Sequence, residues 1–185
     1  MNRTWVITAA VVIIIAVLLF IFRAPITGLF HKQPATTTQT QGTTTEPETQ
    51  HYSNAAMGIS LSYPIGFTLN PTWQNTTVNP KKPISGVQLI IPTSMATGTN
   101  LSTDTYVSVE QLPRAKSCTG DIFLAANVKP TTVVDNGVTY SVASSTDAAA
   151  GNRYEETVYA IKGSSPCTAV RYLVHYGVFE NYPAG

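Results

Sequence analysis

Residues 5–22 constrain this chain more than any other stretch: eighteen residues without a charge, almost all apolar, set between Arg3 and Arg23. A helix rising about 1.5 Å per residue would extend such a run about 27 Å, close to the roughly 30 Å hydrocarbon core of a bilayer. The run predicts an uncleaved transmembrane anchor that partners the lipid bilayer, preceded by residues 1–4 as a cytoplasmic N-terminus. A cleaved signal peptide would have an apolar region of about 7–15 residues and end at a small-residue site. The stretch Arg23-Ala-Pro-Ile-Thr-Gly28 offers no such site. A lipoprotein signal would need a cysteine directly after the run, and the only cysteines are Cys118 and Cys167. A buried core helix would carry a polar stripe, but only Thr8 interrupts this one.

Lys and Arg near the two ends do not decide orientation, with Arg3 on one side and Arg23 and Lys32 on the other. Two widely spaced cysteines and a threonine-rich linker favour placing the C-terminal mass outside the cytoplasm, in a single-pass cell-membrane protein. Residues 23–51 form the juxtamembrane segment and that linker. Its stretch 33–50 has no large apolar side chain to bury, so ordering it would cost more entropy than packing returns. About 60 Å long when stretched, it would average about 25 Å end to end as a flexible coil.

Residues 52–185 then make one extracytoplasmic domain of ordinary size. Eight basic and eight acidic residues cancel there, which removes any general attraction to nucleic acid. Low charge with abundant Tyr, Thr, Val and Ser favours strands. Met57, Ile59, Leu61 and Tyr63 alternate with Gly58, Ser60 and Ser62, the period of a half-buried strand that Pro64 ends. Residues 66–69 continue this ribbon before a loop holding Pro71, Trp73 and Pro80. Further strands are expected at 87–91 and 105–112. Thr119 as N-cap with helix formers behind it predicts a short helix within 118–126. Asn136-Gly137 between two apolar runs predicts a tight hairpin, because both residues tolerate positive φ. A second hairpin joins 152–161 to 168–178 across Gly163, Ser164, Ser165 and Pro166. In its last strand Val170, Tyr172, Val174, Tyr176 and Val178 share one face, which is expected to be the buried one.

The stretch Met57-Gly-Ile-Ser-Leu-Ser-Tyr-Pro-Ile-Gly-Phe67 resembles the opening of PsbP-like domains, named for an extrinsic protein of photosystem II. Residues 151–159 and 171–176 are similar to that fold's last antiparallel pair. The resemblance implies an α+β domain, an antiparallel sheet with one or two short packed helices, and an accessory role rather than a reaction. Such domains usually close with a C-terminal helix, whereas this chain stops at Tyr182-Pro-Ala-Gly185. Either the domain is truncated or one sheet face is covered differently.

Cys118 and Cys167 are expected to form a disulfide, since an exported domain can tie the short helix to the final strand. Without a C-x-x-C motif, and with no other cysteine, redox catalysis and a zinc site are both disfavoured. Of the three histidines, His31 and His51 border the linker. His175 shares a strand face with Arg171, and a turn register pairing Tyr159 with Arg171 would set Glu155 opposite His175. A one-residue slip would move Glu155 to the other face. Glu155, Arg171 and His175 are therefore the tentative ligand-facing residues.

No G-x-S-x-G turn, H-E-x-x-H, phosphate loop or acidic calcium loop occurs, so no catalytic, cofactor-binding or metal residue is assigned and no cofactor is expected. The sequence points to a membrane-tethered, non-enzymatic accessory or binding module for a protein or envelope component. Two alternatives stand beside it: an envelope hydrolase or small-ligand enzyme working through Glu155, Arg171 and His175, and a pilin-like assembly subunit.

Overall fold

The computed structural model describes residues 48–179. The expected anchor at 5–22, the cytoplasmic N-terminus and most of the linker lie outside that range. Among the described residues no helix is long and apolar enough to cross a membrane.

The described residues form nine antiparallel strands. β1 (Thr49–Asn54) and β2 (Ile59–Pro64) pair only with each other. The other seven are β3 (Thr68–Asn75), β4 (Ile84–Ile90), β5 (Tyr106–Leu112), β6 (Thr131–Asp135), β7 (Val138–Ala149), β8 (Asn152–Ile161) and β9 (Cys167–Gly177). They form one sheet in the order β3-β4-β5-β9-β8-β7-β6. Two meanders, β3 to β5 and β6 to β9, are joined by the long-range pairing of β5 with β9, in which Ser108 faces Arg171. β1 begins at Thr49, so the fold takes in three residues expected to be linker.

This is a β-rich domain, and the expected α+β class is corrected accordingly. The only α-helix among the described residues, α1 (Thr93–Ala96), is four residues long and buries nothing. The helix expected within 118–126 is a single 3-10 turn, Gly120–Phe123, and Thr119 makes no side-chain cap. Packing decides this rather than propensity. Residues 113–130 cross from the end of β5 to the far edge strand β6, passing over β7 and β8. Gly120 comes so close to them that a Cβ would lie 2.8–2.9 Å from backbone atoms of Ser141, Ala143 and Val158. Its amide donates to Ser141 Oγ at 3.1 Å. Phe123 and Leu124 then plug into a core with Ile84, Ala143, Val158, Ala160, Cys167 and Ala169. A regular helix cannot approach a sheet that closely, and the three alanines beneath are the small side chains the approach requires.

Local signals place the turns well. Asn136 and Gly137 have φ of 48° and 80°, and Asp135 pairs with Val138 across them. Ala150 and Gly151 make the same geometry at φ 48° and 82° between β7 and β8, a turn with no Asn or Asp to announce it. β3 runs on through Pro71 and Trp73, which the sequence places in a loop, because a register shift between Asn70 and Trp73 absorbs the proline.

The largest correction concerns which face of β9 is buried. Cys167, Ala169 and Arg171 are buried, while Tyr172 is 44% and Val174 36% exposed. The expected inward face of valines and tyrosines points outward instead. The crossover covers the other face, where only alanines leave room for it. On the outward face the β1–β2 hairpin covers the β4–β5 end: Gln111 Nε2 donates to the Met57 carbonyl at 2.8 Å. That cover accounts for the burial of Ile59 and Tyr63 on the hairpin and Val87 on the sheet. Among the described residues the β7–β8–β9 end is left open.

Candidate functional site

Three groups of polar or aromatic side chains stand out, and the hairpin register separates them. β8 and β9 pair with Tyr159 opposite Val170, one residue away from the Tyr159–Arg171 register. Tyr154, not Glu155, therefore faces His175, and Glu155 faces Val174. Of the three tentative ligand-facing residues, Arg171 and His175 share the crossover face, and Glu155 lies on the opposite one.

Arg171 sits in the core, 1% exposed, within an ion cluster. Its Nε donates to Glu110 Oε1 at 2.5 Å and its Nη2 to Glu110 Oε2 at 3.3 Å. Nη1 donates to Glu156 Oε2, and Nη2 also to the Phe123 carbonyl of the crossover. Four of the five guanidinium donors are thus engaged. Glu110, fully buried, accepts in addition from Ser108 Oγ at 2.9 Å and Asn75 Nδ2 at 3.1 Å. Burial alone would lower the Arg171 pKa, but the hydrogen bonds and charge of Glu110 and the charge of Glu156 outweigh it and hold the value above its ordinary one. Burial likewise raises the Glu156 carboxyl; Arg171 pulls it back and Glu110 pushes it further up. The cluster fastens the crossover to β5, β8 and β9; Arg171 and Glu110 are closed to solvent, and Glu156 is partly exposed at its edge.

His175 lies further along β9. Thr105 pins its backbone by giving a hydroxyl to the His175 carbonyl at 3.2 Å and receiving the amide at 3.1 Å. The ring stacks on Tyr154 with centroids 4.2 Å apart and planes at 22°. Its Nδ1 is 2.6 Å from Asp104 Oδ1. Partial burial pushes the Asp104 carboxyl up, but hydrogen bonds from Ser102 and His175 with the imidazole charge bring it below its ordinary value. A carboxylate holding an imidazole is the orienting half of a general-base device. The working half is closed off here, because Nε2 is buried with no hydrogen-bond partner among the described residues.

The open face carries the third group. Tyr140, Tyr159 and Tyr172 come from three adjacent strands and meet edge to face, with centroids 6.2 and 5.9 Å apart and planes at 83° in both pairs. Exposed Val133, Val138 and Val174 flank them. Burial and the neighbouring tyrosines Tyr159 and Tyr140 raise the Tyr172 pKa, so its hydroxyl is a neutral donor at physiological pH. Glu155 stands at the end of this face and accepts from Tyr176 Oη at 2.6 Å. Sequence alternation puts Tyr172 and Val174 on one face of β9 but assigns that face to the core, and it does not single out Tyr140 or bring Tyr159 to it.

Cys118 and Cys167 are bonded, with Cα atoms 5.1 Å apart, as the sequence led us to expect. The described residues contain no group of three or more His, Cys, Asp or Glu that could hold a metal. The surface depressions are open. One of about 680 Å³ is rimmed by Lys82, Arg114 and Lys116, another of about 260 Å³ lies at the β7–β8 turn, and neither contains the tyrosine row. Compared with known proteins, the chain matches no protein-family description, no curated protein and no solved structure.

Proposed function

We propose that the chain is a membrane-tethered, extracytoplasmic, non-enzymatic binding module that docks a protein or envelope component on the open Tyr140–Tyr159–Tyr172 face. The observation that carries the reading is a face of tyrosines and valines left uncovered among the described residues, while Arg171 of the same sheet is buried on the other face. Rigid tyrosines supply contact area at small entropic cost and keep a hydroxyl for hydrogen bonding, which is why recognition surfaces are rich in them. The Cys118–Cys167 bond supports an oxidising compartment. The uncharged run at 5–22 and the threonine-rich stretch after it supply an anchor and a tether in the same reading.

A photo-reactive phenylalanine analogue in place of Tyr172, in the full chain within its native membranes, tests the reading. A defined adduct is expected, at least fivefold weaker when Tyr159→Ser is added and unchanged by His175→Ala. The same label at Lys162, exposed on the β8–β9 turn, should give none. An adduct no stronger at 172 than at 162 would overturn the proposal.

A further inference from the structure

The two edges of the seven-stranded sheet are not alike. β3 is protected: Pro71 sits within it, and the register shift at Asn70 and Trp73 breaks its ladder. β6 has no internal proline, lysine or bulge, and all five of its residues are exposed, with Val133 at 41% and Val134 at 66%. The two-residue turn makes Asp135 and Val138 the hydrogen-bonded closing pair, so Thr131, Val133 and Asp135 turn their backbone groups toward β7. By the same alternation Thr132 and Val134 turn theirs outward, where no strand among the described residues meets them.

We propose that β6 is a self-pairing edge, and that a second copy of this chain adds its own β6 antiparallel about a two-fold axis through Val133. In that register Thr132 faces Val134 of the copy and the reverse, so every outward N–H and C=O meets a partner in four backbone hydrogen bonds. Val133 faces its own counterpart in a non-hydrogen-bonded pair, and Thr131 faces Asp135. Charge agrees with this choice. Lys129 of each copy falls diagonally beside Asp135 of the other, within reach of a long side chain, and no like charges stand opposite. Both residues are exposed, and neither takes part in an ion pair among the described residues. Pro130 has no N–H to offer and limits the pairing to the strand itself. The pairing also makes the two open faces continuous, since Val133 lies beside Tyr140 on that face. A five-residue contact is small compared with permanent interfaces, so the association is reversible and favoured where copies are concentrated. Nothing in this geometry depends on the ligand of the tyrosine face.

Single cysteines introduced into the full chain, reconstituted in phosphatidylcholine vesicles and mildly oxidised, read the register directly. At Val133→Cys the two Cα atoms would lie about 4.5 Å apart and can bridge. Val134→Cys is the more exposed site, but its counterpart is two residues out of register, beyond the roughly 7 Å a disulfide spans. Disulfide-linked dimer is expected at least tenfold faster from Val133→Cys than from Val134→Cys. Adding Thr132→Pro, which removes only an outward N–H, should reduce the Val133→Cys rate to that of Val134→Cys. Lys129→Glu should slow it severalfold, and Lys129→Glu with Asp135→Lys should restore it. Equal rates at 133 and 134, faster linkage at 134, linkage at neither, or indifference to both Thr132→Pro and Lys129→Glu would each overturn the proposal.

Discussion

The two faces of the β7–β8–β9 sheet reverse the usual distribution of residue types. The covered face holds alanines, the partly buried Glu156 and the buried Arg171, and the open face holds tyrosines and valines. The difference shows that alternation along a strand separates two faces without saying which one is inside. Here the outcome is set by the crossover at 113–130, which needs small side chains beneath Gly120 and a hydrogen-bonding anchor for the Phe123 carbonyl. Alanines meet the first need and Arg171 the second. Tyrosines would meet neither.

The most forceful way to break this comparison is to remove the charge from the covered face. Arg171→Met leaves Glu110 buried without its counter-ion and should cost about 3–5 kcal/mol in chemical unfolding. If the cost comes from the stranded carboxylates rather than from lost packing, Arg171→Met with Glu110→Leu and Glu156→Gln should recover most of it. A triple variant as unstable as the single one would show that the guanidinium holds the crossover in a way that apolar packing cannot replace.

Much of the fold is legible in the sequence, and what is not has a physical reason in each case. Asn136-Gly137 encodes its turn locally, as does the alternation of β2 and the apolar runs of β8 and β9. Ala150-Gly151 carries no such mark: alanine at positive φ is imposed by the strands on either side. The helix expected after Thr119 was a matter of local propensity, and a backbone contact with Ser141, Ala143 and Val158 overrides it. The helices implied by the PsbP-like resemblance are likewise not found beyond α1 and the 3-10 turn among the described residues. Glu110 is 61 residues from Arg171 in the chain, so nothing local links them, and strand alternation alone makes Arg171 look ligand-facing although its partners are internal. Turn length alone leaves the β8–β9 register open by one residue, and that one residue decides whether Glu155 or Tyr154 faces His175. The disulfide was legible because only one pair of cysteines exists.

A smaller effect sharpens the comparison from the side of the crossover. The Cys118–Cys167 bond closes a loop of 49 residues and fastens the crossover to β9. Replacing both cysteines by serine should lower unfolding free energy by about 2–4 kcal/mol. If the bond acts on the covered face, amide hydrogen exchange should accelerate most at Gly120 and Leu124 and least at the β6–β7 turn. Uniform acceleration across the domain would mean that the bond restrains only the unfolded chain.

The smallest effect separates two neighbours, Glu155 and Glu156, by pH. Glu156 points into the covered face, where burial raises its carboxyl above the ordinary value of 4.5 despite Arg171. A folded value above the unfolded one means the folded state keeps the proton longer, so stability falls as pH rises from about 4.5 through the raised value. Asp104 has the opposite sign. Its folded value lies below the ordinary 3.8, so its contribution is present above that point and is lost as pH falls through the lowered value. The two windows do not overlap, and melting temperatures taken from pH 3 to pH 7 can resolve them. Glu156→Gln removes the titrating group, keeps an acceptor for Arg171, and should flatten the decline above pH 4.5 while leaving the acid limb intact. Glu155→Gln, on the open face with only Tyr176 as partner, should change stability by no more than about 0.5 kcal/mol at neutral pH. A decline that persists in Glu156→Gln would mean that Glu156 does not cause it, and that Arg171 holds this carboxylate on the covered face without a proton to relieve it.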